Sequence, residues 1–105
     1  MTDRLQEPPT LDDLRVRRDE ILALAQRYHA DNVRVFGSVA RGEATPDSDI
    51  DLLVSFQQGA SLCDLSGLWQ DLQGLLGRSV DVVSDDVHPR HERFKRRILK
   101  EAITL

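Results

Sequence analysis

A chain of 105 residues has room for one domain and not for two. Such a domain buries roughly 60–68% of its unfolded surface, so a core forms but little mass is left for a separate recognition domain. The composition, 40% hydrophobic and 30% charged with one cysteine (Cys63), excludes an intrachain disulfide and reads as a protein of a reducing cytoplasm. No apolar run approaches the roughly 20 residues of a membrane helix, and no apolar leader follows Met1-Thr2-Asp3-Arg4. The net charge of −4 conceals an asymmetry. Asp47, Asp49 and Asp51 crowd the centre without a base, while Arg90, Arg93, Lys95, Arg96, Arg97 and Lys100 surround the lone Glu92 near the end.

Residues 1–9 are polar, end in Pro8-Pro9 and read as a flexible lead-in to a single domain over 10–105. Thr10 is a helix N-cap with Asp12 and Asp13 in the first turn, where the helix dipole favours acids. Leu11, Leu14, Ile21, Leu22, Ala25 and Tyr28 then recur at helical spacing and predict one helix to about His29. Asn32 to Phe36 alternates as a short strand that Gly37 ends. Ser38 to Arg41 has room for a helical turn closed by Gly42, and 43–48, with Pro46, is a loop. Asp49 to Phe56 is a second strand, β-branched and apolar apart from its two acids. Ser61 caps a helix to about Leu76, with Leu62, Leu65, Leu68, Trp69, Leu72, Leu75 and Leu76 expected on its buried side and Gly77 as terminator. Ser79 to Val83 is a third strand, Asp85 to Arg90 a loop, and His91 to about Ala102 a last amphipathic helix built on Phe94, Ile98, Leu99 and Ala102. The order α-β-β-α-β-α predicts an α/β domain, a small mixed sheet with flanking helices.

The chemistry concentrates in Gly37-Ser38-Val39-Ala40-Arg41-Gly42 and Asp49-Ile50-Asp51. In a strand, residues i and i+2 share a face about 6.5–7 Å apart. Two carboxylates so placed can share Mg²⁺, which takes carboxylate, water and phosphate oxygens. Taken alone, an Asp-x-Asp equally describes a polar strand edge. The glycine before Ser38 allows close backbone approach, the amides after it can hold phosphate oxygens, and the Ser38 hydroxyl adds a donor. Arg41 is either a charge for the phosphates or one half of a structural ion pair.

Gly37-Ser38-x-Ala40-Arg41-Gly42 followed by Ser48-Asp49-x-Asp51-Leu52-Leu53-Val54 resembles the signature of the polymerase-β-like nucleotidyltransferase superfamily. Within it the chain resembles, over nearly its whole length, the minimal nucleotidyltransferases, the MntA-type antitoxins encoded beside HEPN-domain ribonuclease toxins. Arg97-Ile98-Leu99-Lys100-Glu101-Ala102 looks like that family's last helix. The resemblance implies a third carboxylate on a neighbouring strand, and the match is Asp81 in Ser79-Val80-Asp81-Val82-Val83. Asp49, Asp51 and Asp81 are then the catalytic and metal-holding set for two Mg²⁺ ions, with Gly37, Ser38 and Arg41 on the nucleotide. Asp49 and Asp51 would hold the metal that escorts ATP, and all three acids the second metal, which activates the attacking hydroxyl. The implied activity is transfer of AMP from ATP to a tyrosine hydroxyl on the HEPN toxin within a hetero-oligomer. The alternative is a non-catalytic antitoxin that binds and occludes the toxin. Transfer to a small molecule such as an aminoglycoside would need a second domain.

Other features carry less. Asp85 and Asp86 belong to a loop, and Asp47 and Glu43 to solubility. His88 and His91 lack the ligands that complete a zinc set. His29 suits a helix end, Cys63 a buried or inert role, and Trp69 the core. Arg93, Arg96, Arg97 and Lys100 make one basic face, open between plain solvation, an acidic partner protein, RNA, and the triphosphate. Direct nucleic-acid binding is not expected.

Overall fold

The computed structural model describes residues 7–85 and 92–105. Thr10 opens the first helix as expected. Its hydroxyl accepts from the Asp13 N–H and the Asp13 carboxylate accepts from the Thr10 N–H, both at 3.1 Å. The single long helix expected here is two. Helix α1 (Leu11–Val16) ends at Arg17, whose backbone leaves the helical region (φ −102°, ψ 17°), and α2 (Arg18–Arg27) starts afresh. At this break the Arg17 guanidinium donates to the carbonyl of Leu75, 58 residues away in the sequence.

Strand β1 (Ala30–Phe36) begins two residues earlier than expected and is followed directly by the short helix α3 (Gly37–Arg41). Strand β2 (Ile50–Phe56) runs back antiparallel to β1, with a register shift between Asp31 and Arg34, where Asn32 adopts φ 50°. Helix α4 (Leu62–Leu76) then crosses over to β3 (Val80–Ser84), which lies parallel to β2. After α5 (Glu92–Glu101), the two-residue β4 (Ile103–Thr104), absent from the expected order, pairs antiparallel with the other side of β1. The sheet order is β3-β2-β1-β4, mixed and helix-flanked as the sequence predicts.

Two cores sit on the two faces of the sheet. Ile50, Leu52 and Val54 alternate onto the face covered by Leu14, Ile21, Leu68 and Leu72 from α1, α2 and α4. Leu53 points the other way and packs with Phe36 and with Ile98 of α5. Helix α4 has the expected ends: Ser61 and Asp64 form a reciprocal capping box, and Gly77 closes it at φ 64°. Its leucine-rich side is wider than the sheet beneath it, however. Leu68 and Leu72 are buried, but Leu62 is 82% exposed and Trp69 43%, contrary to the expected buried stripe. On α5, Ile98 is buried as expected, whereas Leu99 is half exposed. Arg93, Arg96, Arg97 and Lys100 are exposed. Residues 86–90 of the loop expected from Asp85 to Arg90, the pair His88 and His91, and the Phe94 side chain lie outside the described residues. Among the described residues no helix is long and apolar enough to cross a membrane.

Candidate active site

The pairing register assembles the motif. Phe36, the residue before Gly37, lies opposite Asp51, and Asp51 lies opposite Asp81 on β3. Neighbouring strands are about 4.8 Å apart, so the Gly37 turn, Asp51 and Asp81 form a row across three strands. Asp49 sits one residue before β2 rather than inside it, and it is exposed, as is Asp81. Asp51 is half-buried between them. Burial pushes its carboxyl up to about 6, the charges of Asp81 and then Asp49 add to the shift, and Arg41 opposes it. Among the described residues, no three His, Cys, Asp or Glu side chains are already drawn around one point that a metal could occupy.

Gly37 is required twice over. Its φ is +73°, and a Cβ at this position would collide with Oδ2 of Asp51. The turn and the carboxylate therefore touch only because the side chain is absent. Ser38 follows, half-buried in the first turn of α3, and Gly42 closes that helix in the left-handed region at φ 72°. Of the two roles open to Arg41, the structure displays the ion pair. Its Nε donates to Glu43 at 3.1 Å and its terminal nitrogen to both oxygens of Glu101 at 3.1 and 3.2 Å. Glu43, assigned to solubility, is thus one of the two acids that hold this arginine.

Other residues turn out differently from the expectation. Asp85 accepts from Arg34 at 3.0 Å and also from the Ser55 hydroxyl, so it ties the end of β3 to β2 and β1. His29, by contrast, stands at the end of α2 as expected, and its Nδ1 lies 3.3 Å from Asp64. Cys63 is exposed, not buried. Trp69 donates its indole N–H to the Val80 carbonyl at 2.5 Å instead of entering the core. With Leu62, Leu65, Ser66, Asp81 and Val82 it lines a groove beside the carboxylate row. Reasoning from sequence missed this feature. Composition carries no signal for it, since seven apolar residues on a 15-residue helix fit one amphipathic face.

Known proteins share the family and fold of this chain. A model of the nucleotidyltransferase domain matches residues 18–105. A Methanocaldococcus jannaschii protein named "Putative protein adenylyltransferase" is 40% identical over 85 residues, 80% of this chain and 88% of that protein. Protein adenylyltransferase MntA of Thermococcus cleftensis is 45% identical over 60 residues, 57% of this chain and 61% of that one. A solved structure described as a "putative minimal nucleotidyltransferase" superposes with a TM-score of 0.79 at 50% identity, covering 92% of this chain and 97% of the other. A more distant structure, of tri-AMPylated Shewanella oneidensis HEPN toxin in complex with MNT antitoxin, shares the fold. It has a TM-score of 0.64 at 17% identity, covering 86% of this chain and 69% of the other.

Proposed function

The chain belongs to the nucleotidyltransferase domain family, and from that premise we propose that it is an MntA-type antitoxin. In this reading it transfers AMP from ATP to a tyrosine hydroxyl of a HEPN-domain ribonuclease toxin, in a Mg²⁺-dependent reaction in the cytoplasm, and so silences the toxin. The supporting observation is the row Gly37–Asp51–Asp81 set by strand register. The naming of its relatives as protein adenylyltransferases supports a protein acceptor.

The donor set suits Mg²⁺. Three acids crowd one strand end, and the central carboxyl is pushed up by burial and by its neighbours' charges, a cost that a hard divalent cation would remove. Asp49 and Asp51 would hold the ion that accompanies the triphosphate, and all three acids a second ion. When bound, Mg²⁺ offsets phosphate charge and lowers the pKa of a coordinated hydroxyl. The chain's own residues do the rest. The bare Gly37 turn lets phosphate approach backbone N–H groups, and Ser38 donates its hydroxyl. Arg41 would add charge where the pyrophosphate leaves, on exchanging Glu43 and Glu101 for phosphate. Asp81, exposed at the end of the row, accepts the proton of the attacking hydroxyl.

Neutralisation by binding and occlusion alone is the second reading. The engagement of Arg41 by two carboxylates favours it, since that arginine is occupied without any nucleotide. The Asp49→Asn/Asp51→Asn double variant separates the two in a toxicity assay. Loss of protection while the variant still co-purifies with the toxin supports catalysis. Full protection by the variant supports occlusion.

A further inference from the structure

Asp81 faces two sets of neighbours, and the proposed chemistry uses only one of them. On its other side Leu62, Leu65, Ser66 and Trp69 from α4, together with Val82, line a groove along β3, the outer strand of the sheet. Leu62 and Trp69 are two of the four strongly exposed large hydrophobics among the described residues. The indole is held by its hydrogen bond to the Val80 carbonyl, and the Gln73 side chain accepts from the Val80 N–H. Side chains of α4 thus cover the strand edge at Val80 and fix the wall of the groove, while its apolar lining stays open to solvent.

Order across the sheet says what this groove can serve. The phosphate-side turn at Gly37 adjoins Asp51 from β1, Asp51 adjoins Asp81, and Asp81 adjoins the groove. Nucleotidyl transfer proceeds in line, with the attacking and leaving oxygens on opposite sides of the phosphorus. If the pyrophosphate leaves toward Gly37 and Ser38, the attacking hydroxyl enters from the β3 side. We propose that the groove of Leu62, Leu65, Ser66 and Trp69 is the acceptor subsite, seating the aromatic ring and flanking apolar residue of the protein segment that presents the hydroxyl to Asp81. The inference rests on the adenylyl-transfer reading above and names the part of this chain that selects the acceptor. The phenolic oxygen forms the new bond to the α-phosphorus as the bond to the bridging oxygen breaks. Pyrophosphate carries off that electron pair, and the phenolic proton passes to the Asp81 carboxylate.

The test uses the full chain and, as probe, a HEPN-domain protein, the partner class of the proposed reaction, with ATP and Mg²⁺. Leu62→Ser removes an exposed apolar wall, and Ser66→Trp fills the groove from an exposed helix position. Val16→Ser, an exposed apolar position on α1 outside the groove, is the control. Both groove variants are expected to raise KM for the probe by about tenfold or more, the scale of one buried apolar side chain. ATP affinity should stay within about twofold of wild type, and the control should behave as wild type. Wild-type KM in both variants would overturn the assignment. So would an equal loss of ATP affinity, which would give the groove to the nucleotide. So would a wild-type dimer that Leu62→Ser dissociates, which would give it to a second copy. A wild-type chain that transfers no AMP to the probe would instead bring down the reading beneath the proposal, and the proposal with it.

Discussion

Gly37 and Asp51 depend on each other at the scale of single atoms. A methyl at Gly37 meets Asp51 Oδ2 and is asked to sit at φ +73°, where a side chain costs about 1–3 kcal/mol. Gly37→Ala is therefore expected to lower the melting temperature and abolish transfer together. Gly42→Ala has a nearly equal φ of +72° but nothing within 4 Å of the added Cβ. It should cost about 1 kcal/mol and keep its activity. Equal losses of activity in the two variants would remove Gly37 from the site. Asp51 gives a second handle through pH. Its carboxyl titrates at about 6 in the folded chain against 3.8 in the unfolded one. A raised native pKa means that the stabilising contribution is whole below about pH 4 and is lost as pH rises through about 6. Without added metal, Asp51→Asn should therefore melt higher than wild type at about pH 7.5 and alike at about pH 4. Adding Mg²⁺ at about pH 7.5 should stabilise the wild type more than the variant. A variant less stable at the higher pH would contradict the crowding of Asp51.

Among the elements, those specified by local chemistry were legible and those specified by distant partners were not. The Ser61–Asp64 box and Gly77 delimit α4 within the sequence itself, and alternation around Ile50, Leu52 and Val54 marks β2 and its buried face. The break at Arg17 is invisible in sequence, since no Gly or Pro marks it and the contact made there, to Leu75 on another helix, is distant in the chain. Strand β4 escaped because two residues make no pattern, although Leu105 is buried and its N–H donates to the Val33 carbonyl at 3.1 Å. Trp69 and Leu62 were misplaced because periodicity gives a helix face but not the width of what it packs on. Of the site, Gly37, Ser38, Asp49 and Asp51 stand close enough in sequence to be read as a unit, whereas joining Asp81 to them required the parallel register of β2 and β3. Asp85 marks the opposite limit, since its partner Arg34 is 51 residues away and only 13% exposed in its side chain. Asp85→Ala removes the charge partner of that guanidinium, which keeps its hydrogen bonds to Asn32 and Ser55, and should cost about 1 kcal/mol in a denaturant melt. Nucleotide affinity should be unchanged, because Asp85 lies at the far end of β3. A loss of nucleotide binding at constant stability would mean that Asp85 has a part in the site.

Over the whole molecule, one sheet serves two purposes. Its two faces are closed by separate cores, under α1, α2 and α4 on one side and α5 on the other, and the candidate site lies at the strand ends, at Gly37, Asp51 and Asp81. The charge asymmetry of the sequence persists in the fold: acids gather at those strand ends, and Arg93, Arg96, Arg97 and Lys100 stay exposed on α5. In the proposed reaction the acceptor is a partner protein. The central claim is that AMP becomes covalently attached to that partner. Intact-mass spectrometry of the HEPN-domain protein, after incubation with this chain, ATP and Mg²⁺, tests it most directly. The expected result is a mass gain of one or more AMP units that disappears with Asp49→Asn. An unchanged mass in a partner that still forms a stable complex would contradict catalysis and leave binding as the means of neutralisation.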